Sequence, residues 1–121
     1  MTTVLLLEDN ADMLILLTQV LEWGNYEVIP AYSGKQGLEY LESAEAPPDV
    51  IVSDLLMPEM DGIELIKAVR GNPDWAKIPF IVMSAFDAPE DQLSAIEAGA
   101  DAFLVKPFGL DKFRALLNQW G

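Results

Sequence analysis

Val50-Ile51-Val52-Ser53-Asp54-Leu55-Leu56-Met57-Pro58-Glu59-Met60-Asp61-Gly62 decides the fold. It opens as a short apolar run, the pattern of a strand buried on both faces. The run stops at a carboxylate, Asp54. Pro58 marks a turn, and Asp61 and Glu64 then form a capping-box pattern ahead of an amphipathic helix with Ile63, Ile66 and Val69 inward. A carboxylate at the exit of a buried strand has an apolar wall behind it and solvent in front. There it can hold a metal ion or attack an electrophile. Taken alone, Asp54 fits an ordinary turn residue equally well.

Working outward, the same alternation repeats. Val4 to Leu7 is an apolar run that ends at Glu8-Asp9-Asn10, and Asn10 is placed to cap a helix from about Ala11 to Trp23. That helix carries Met13, Leu14, Leu17, Val20 and Leu21 at helical spacing and stops at Gly24. Tyr26 to Ala31 reads as a second strand. Ser33 with Gln36 opens a second helix to about Glu42, with Leu38 and Leu41 inward, although Gly37 in its interior argues against it. Beyond the central stretch, Gly71-Asn72-Pro73-Asp74 breaks the third helix, and Phe80 to Met83 is a fourth buried strand ending at Ser84. Asp87 and Pro89-Glu90 start a fourth helix with Leu93 and Ile96 inward and Gly99 as its stop. Ala102 to Val105 is a fifth strand ending at Lys106-Pro107. A last helix from about Leu110 to Trp120 carries Phe113, Leu116, Leu117 and Trp120 as its apolar stripe. Five strand–helix alternations predict a doubly wound parallel sheet with helices on both faces, one domain over residues 1–121. There is no repeat, low-complexity tract or linker, so the chain reads as a stand-alone protein or a domain excised from a longer one.

Composition narrows the function. The 121 residues suffice for one core, and 51% are hydrophobic. Without cysteine or histidine, disulfides, thiolate metal sites and histidine chemistry are excluded. Seven basic against twenty acidic residues give a net charge of −13. Such a surface disfavours nucleic acid and anionic membranes. No signal peptide or membrane-length apolar run is present, and a cytoplasmic location is expected.

Right-handed crossovers bring every strand's carboxyl end to one edge, where open parallel sheets bind ligands. The residues at that edge are Glu8, Asp9, Asp54, Ser84 and Lys106. Three clustered carboxylates repel one another, and some should hold raised pKa values unless a cation joins them. A hard ion such as Mg2+ prefers a few carboxylate oxygens and keeps positions for phosphate. Lys106 can pair with one carboxylate and with a phosphoryl oxygen, and Ser84 can donate to the same group. Singly, Glu8-Asp9 fits a solvated turn, Ser84 a cap and Lys106 a surface lysine. Their coincidence suits phosphoryl transfer to a carboxylate, where catalysis is mostly positioning and charge neutralisation.

With these residues in place, the sequence closely resembles the receiver domains of two-component response regulators, including the chemotaxis type. The matching motifs are Leu7-Glu8-Asp9-Asn10, Asp54-Leu55-Leu56-Met57-Pro58 with Asp61-Gly62, Ser84-Ala85, Gly99-Ala100-Asp101 and Lys106-Pro107-Phe108, and they cover essentially the whole chain. The resemblance implies a flavodoxin-like (βα)5 fold with strand order 2-1-3-4-5. It implies a signalling switch that assists its own phosphorylation and dephosphorylation. Asp54 would accept the phosphoryl group from a sensor histidine kinase or phosphotransfer protein. Mg2+ would be held by Glu8, Asp9, Asp54 and the backbone carbonyl of Leu56. Lys106, joined to Pro107 by a cis bond, would contact the phosphoryl group. Ser84 would move towards it as Phe103 turns inward, although Phe103 fits a plain core aromatic as well.

The resemblance further implies an output face of helix four, strand five and helix five, with the chain a monomer or a weak phosphorylation-dependent dimer. The fourth helix carries Glu90, Asp91 and Glu97 and no basic residue, which leaves the charge-paired dimer face of some DNA-binding relatives unsupported. Three details depart from the commonest pattern: Glu8-Asp9 where an Asp pair is common, Ser84 for Thr, and Phe103 without a tyrosine hydroxyl. Leu56 and Phe86 would flank the path of a hydrolytic water, and neither can orient it, so a slowly decaying phospho-form is expected. The main alternative is a degenerate receiver acting as a phosphorylation-independent adaptor. A haloacid-dehalogenase-like phosphatase would need a second Asp where Leu56 stands. A flavodoxin would need a hydroxyl- and glycine-rich loop where Glu8-Asp9-Asn10 would repel the flavin phosphate, and no G-x-G-x-x-G motif is present.

Overall fold

The computed structural model describes residues 2–57, 59–85 and 89–120, with only the backbone of Pro89. The expectations for Pro58, Phe86 and Asp87 lie outside the described residues. The elements alternate as β1 Thr3–Leu7, α1 Ala11–Trp23, β2 Glu27–Ala31, α2 Gly34–Ser43, β3 Val50–Asp54, α3 Gly62–Arg70, β4 Phe80–Ser84, α4 Pro89–Ala98, β5 Ala102–Val105 and α5 Leu110–Trp120. The strands form one parallel sheet in the order β2-β1-β3-β4-β5.

Side chains alternate across the sheet, so each strand feeds two cores. Leu5, Leu7, Ile51, Phe80 and Val82 pack with Leu41 of α2, Leu65, Ile66 and Val69 of α3 and Ala95 of α4. Val4, Leu6, Val50, Val52, Ile81, Met83 and Leu104 pack on the other face with Leu14, Leu17 and Leu21 of α1 and Phe113 and Leu117 of α5. β3 and β4 are buried along their whole length, which is why they read as unbroken apolar runs.

Local signals set the helix starts. Met13 N–H donates to the Asn10 side chain at 3.0 Å, and Asp61 and Glu64 close a full capping box on α3. At α2, Gln36 N–H donates to Ser33 Oγ, but the Gln36 side chain reaches the Tyr32 N–H instead of completing the box on Ser33.

One face was read wrongly. Leu93 and Ile96 of α4 do not point inward; they are 57% and 47% exposed, and Ala95 is the residue buried there. α4 packs against the core through Ala95, beside Leu65, Ile66 and Val69 of α3, so the face that meets α3 is not the one with the largest apolar side chains. On α2, by contrast, Leu41 is buried and Leu38 packs against the core despite Gly37.

Candidate functional site

The register levels the strand exits. Leu7 pairs with Ser53, Asp54 with Met83, and Ser84 with Val105. Backbone bonds continue one step past the strands: Glu8 N–H donates to the Ala31 carbonyl, Leu55 N–H to Met83, and Lys106 N–H to Ser84. Glu8, Asp54, Ser84 and Lys106 therefore stand side by side along one edge. Asp9, next along the chain, is exposed, whereas Glu8, Asp54 and Ser84 are buried.

One carboxylate oxygen from each of Glu8, Asp9 and Asp54 lies within 4.8 Å of the other two. Lys106 Nζ reaches both buried acids, 2.5 Å from Glu8 Oε1 and 2.6 Å from Asp54 Oδ1. The other Glu8 oxygen accepts the Asn10 N–H at 3.2 Å. Sequence reasoning gave Lys106 one carboxylate partner and missed the second. It also missed the Asn10 N–H, which a helix cap so close to Glu8 makes available.

One ammonium cannot neutralise two buried carboxylates. Burial first, then the neighbouring Glu8, pushes the Asp54 carboxyl up to about 8, against the pull of Lys106. Burial alone would also raise Glu8, but hydrogen bonds from Asp54, Lys106 and Asn10 outweigh it and hold Glu8 below its usual range. Burial would lower Lys106, and the two carboxylates reverse that and raise it.

Asp54, Leu55, Leu56, Ser84, Ala85 and Lys106 line a cavity of about 130 Å3. Drug-sized ligand pockets run to about 300–1,000 Å3, so this one suits a small group and not a nucleotide. A larger hollow of about 640 Å3, lined by Glu42, Pro47, Asn72 and Trp75 among others, lies at the opposite sheet edge, away from these groups. Leu56 is exposed beside Asp54, Phe103 is half-buried against the core, and the Lys106–Pro107 bond is cis.

Residues 4–118 match the response regulator receiver domain. The chain belongs to this family.

Among its relatives, the transcriptional regulatory protein KdpE of Mycobacterium tuberculosis is 41% identical over 118 residues, covering 98% of this chain and 50% of that protein. The KDP operon regulator KdpE of Escherichia coli is 40% identical, with the same coverage. The chain spans about half the length of the curated relatives it matches. Among solved structures, the chemotaxis response regulator CheY4 of Vibrio cholerae superposes with a TM-score of 0.92 at 30% identity, covering 100% of this chain and 99% of that one. The receiver domain of a Pseudomonas aeruginosa sensor histidine kinase, solved with magnesium in its active-site cleft, gives 0.89 at 25% identity and covers 98% and 96%. Receiver domains are signalling switches that bind Mg2+ at an acidic site and take phosphoryl groups from histidine kinases. The acidic cluster here is compatible with that chemistry. Among the described residues, no helix is long and apolar enough to cross a membrane.

Proposed function

We propose that this receiver accepts a phosphoryl group on Asp54 from a sensor histidine kinase or phosphotransfer protein. One observation carries the reading: Asp54 ends a buried strand, touches Lys106 and opens into a cavity shaped for a small group. An Asp54 oxygen attacks phosphorus while the bond to the donor nitrogen breaks, and the electron pair leaves on that nitrogen. Lys106 can swing an N–H from Asp54 to a phosphoryl oxygen, and Ser84 lines the same cavity.

The donor set fits Mg2+: three carboxylates supply hard oxygens, and a single ammonium leaves charge uncompensated. Glu8, Asp9, Asp54 and the Leu56 backbone carbonyl would hold the ion. Bound there, it would neutralise charge on the phosphoryl oxygens. Phosphorylation then biases Ser84 and Phe103, and through them the α4–β5–α5 face, towards an output partner. The protein works in this reading as a signalling switch, not as an enzyme on an external substrate.

Intact mass after incubation with acetyl phosphate tests this. One phosphoryl adduct on wild type with Mg2+, and none on Asp54→Asn or without Mg2+, is expected. No adduct on folded wild type that binds Mg2+ would replace the reading with a phosphorylation-independent adaptor.

A further inference from the structure

Helix α2 meets both acid-bearing segments through glycine. Gly34 and Gly37 are three residues apart and so share a face of the helix. A Cβ on Gly34 would overlap the carbonyl oxygen of Met60 and come 2.8 Å from the Met60 Cβ. A Cβ on Gly37 would overlap Cδ2 of Leu7, the residue before Glu8. Both glycines are helical, so the missing side chain serves close approach and not an unusual backbone conformation.

The two contacts differ in kind. Leu7 Cδ2 is the end of a side chain and can turn. The Met60 carbonyl is backbone and moves only if its loop moves. That loop joins β3 to α3, and its base is fixed. Gly62 N–H donates to the Leu55 carbonyl at 2.7 Å, and a Cβ on Gly62 would lie 2.6 Å from the Asp54 carbonyl oxygen. Its tip holds Glu59 at φ 69°, in the left-handed region. The tip rests on α2, Met60 on Gly34 and Glu59 facing Lys35 at 3.8 Å. Leu56 lies between the two fixed points.

We propose that Gly34 is a positioning residue for the metal-binding edge. Its bare backbone sets how close the loop tip sits to α2, and thereby where the loop presents the Leu56 carbonyl relative to Asp9 and Asp54. The inference rests on the Mg2+ reading given above. It also gives the glycine-bearing α2 a role that local helix propensity opposes: its first turn is a stop for the β3–α3 loop.

Cation selectivity separates positioning from mere folding. Mg2+ demands near-ideal octahedral geometry at about 2.0–2.1 Å, whereas Ca2+ accepts irregular geometry at about 2.3–2.6 Å. Calorimetric titration of the whole protein with each ion compares wild type, Gly34→Ala and Lys35→Ala. Gly34→Ala is expected to weaken Mg2+ binding about tenfold or more, the scale of lost outer support at metal sites, while Ca2+ binding changes far less. Lys35→Ala, which breaks only an exposed ion pair, should keep both affinities. Native Mg2+ affinity in folded Gly34→Ala overturns the proposal, and so does an equal loss for both ions. Should Gly34→Ala not fold, Gly34→Ala with Glu59→Gly, whose tip turns away freely, is measured with the same two outcomes. Wild type that binds no Mg2+ would take down the functional reading as well, whereas failure in the variants alone leaves that reading standing.

Discussion

The Lys106 ammonium stands 2.5 Å from the Glu8 carboxylate, which is 1% exposed, so the lysine anchors at the floor of the site as well as at Asp54. Removing it leaves two buried carboxylates facing each other. Breaking one partner of a buried ion pair typically costs about 3–5 kcal/mol. Lys106→Ala should therefore lower stability by about 3 kcal/mol in urea unfolding at pH 8, and by less at pH 6, where Asp54 takes up a proton. A loss below about 1 kcal/mol at both pH values would mean that the ion pairs are solvated.

Asp54 supplies a pH dependence of definite sign. Its carboxyl lies near 8 in the folded chain against an ordinary 3.8, so the folded form keeps a proton that the unfolded form releases. Stability of the metal-free protein should fall as pH rises from about 4 towards about 8 on this account. Glu8 acts oppositely: its lowered pKa stabilises above its ordinary 4.5, and that stability is lost as pH falls. Lys106, raised above its ordinary 10.5, stabilises up to that range and loses its contribution as pH climbs through the raised value. Of these three groups, Asp54 is the one that titrates between pH 6 and 8. Because the ion needs the ionised carboxylate, Mg2+ affinity should rise about tenfold per pH unit there and level off above about 8. Calorimetry in buffers of different ionisation enthalpy would detect the released proton. An affinity constant across this window would show Asp54 already ionised at pH 6.

Most of this architecture was legible because it rests on local signals. Buried parallel strands must be apolar, so β1, β3 and β4 announce themselves, and the polar residue that ends each run, Glu8, Asp54 or Ser84, is visible as a break. The alternation of elements then fixes which ends share an edge. What could not be read depends on distance in three dimensions. Leu93 and Ile96 look like a core stripe because periodicity records spacing, not which side of α4 meets α3. Lys106 looks like the partner of one acid because the register that sets Glu8 beside Asp54 is a property of the assembled sheet. Gly37 looks like a helix breaker, and only the folded chain reveals Leu7 pressed against it.

Arg70 offers a test of stability separate from the site. Its guanidinium donates to the carbonyls of Gly99, Ala76 and Ile78 and to Asp101 Oδ2, at 3.0, 3.1, 2.6 and 2.9 Å. It thus ties the end of α3 to the turn before β4 and to the turn after α4. Asp101 keeps a second partner, the Phe80 N–H, but the partly buried carbonyls lose theirs. Arg70→Ala should cost about 2–3 kcal/mol, given about 1 kcal/mol per hydrogen bond and more where a charge is involved. Urea unfolding measures this. The variant should still take one phosphoryl group from acetyl phosphate with Mg2+, since no Arg70 contact reaches the strand exits. Loss of labelling in folded Arg70→Ala would show that the α3–α4 tie reaches the site.

Leu56 governs the lifetime of the phosphoryl group in our reading. It lines the cavity beside Asp54 and is 56% exposed, so a water approaching an aspartyl phosphate passes a side chain with no donor or acceptor. A carboxamide there can hold and orient that water. Leu56→Asn should shorten the phospho-form's lifetime by about tenfold, a modest gain on the scale of positioned proton-transfer groups. Leu56→Ala, which removes bulk without adding a polar atom, should change it little. The decay of the intact-mass adduct in Mg2+ after removal of acetyl phosphate measures both. Equal acceleration in both variants would assign Leu56 a shielding role, with water excluded by its bulk and not merely left unoriented. Wild-type decay in Leu56→Asn would place the water's path elsewhere.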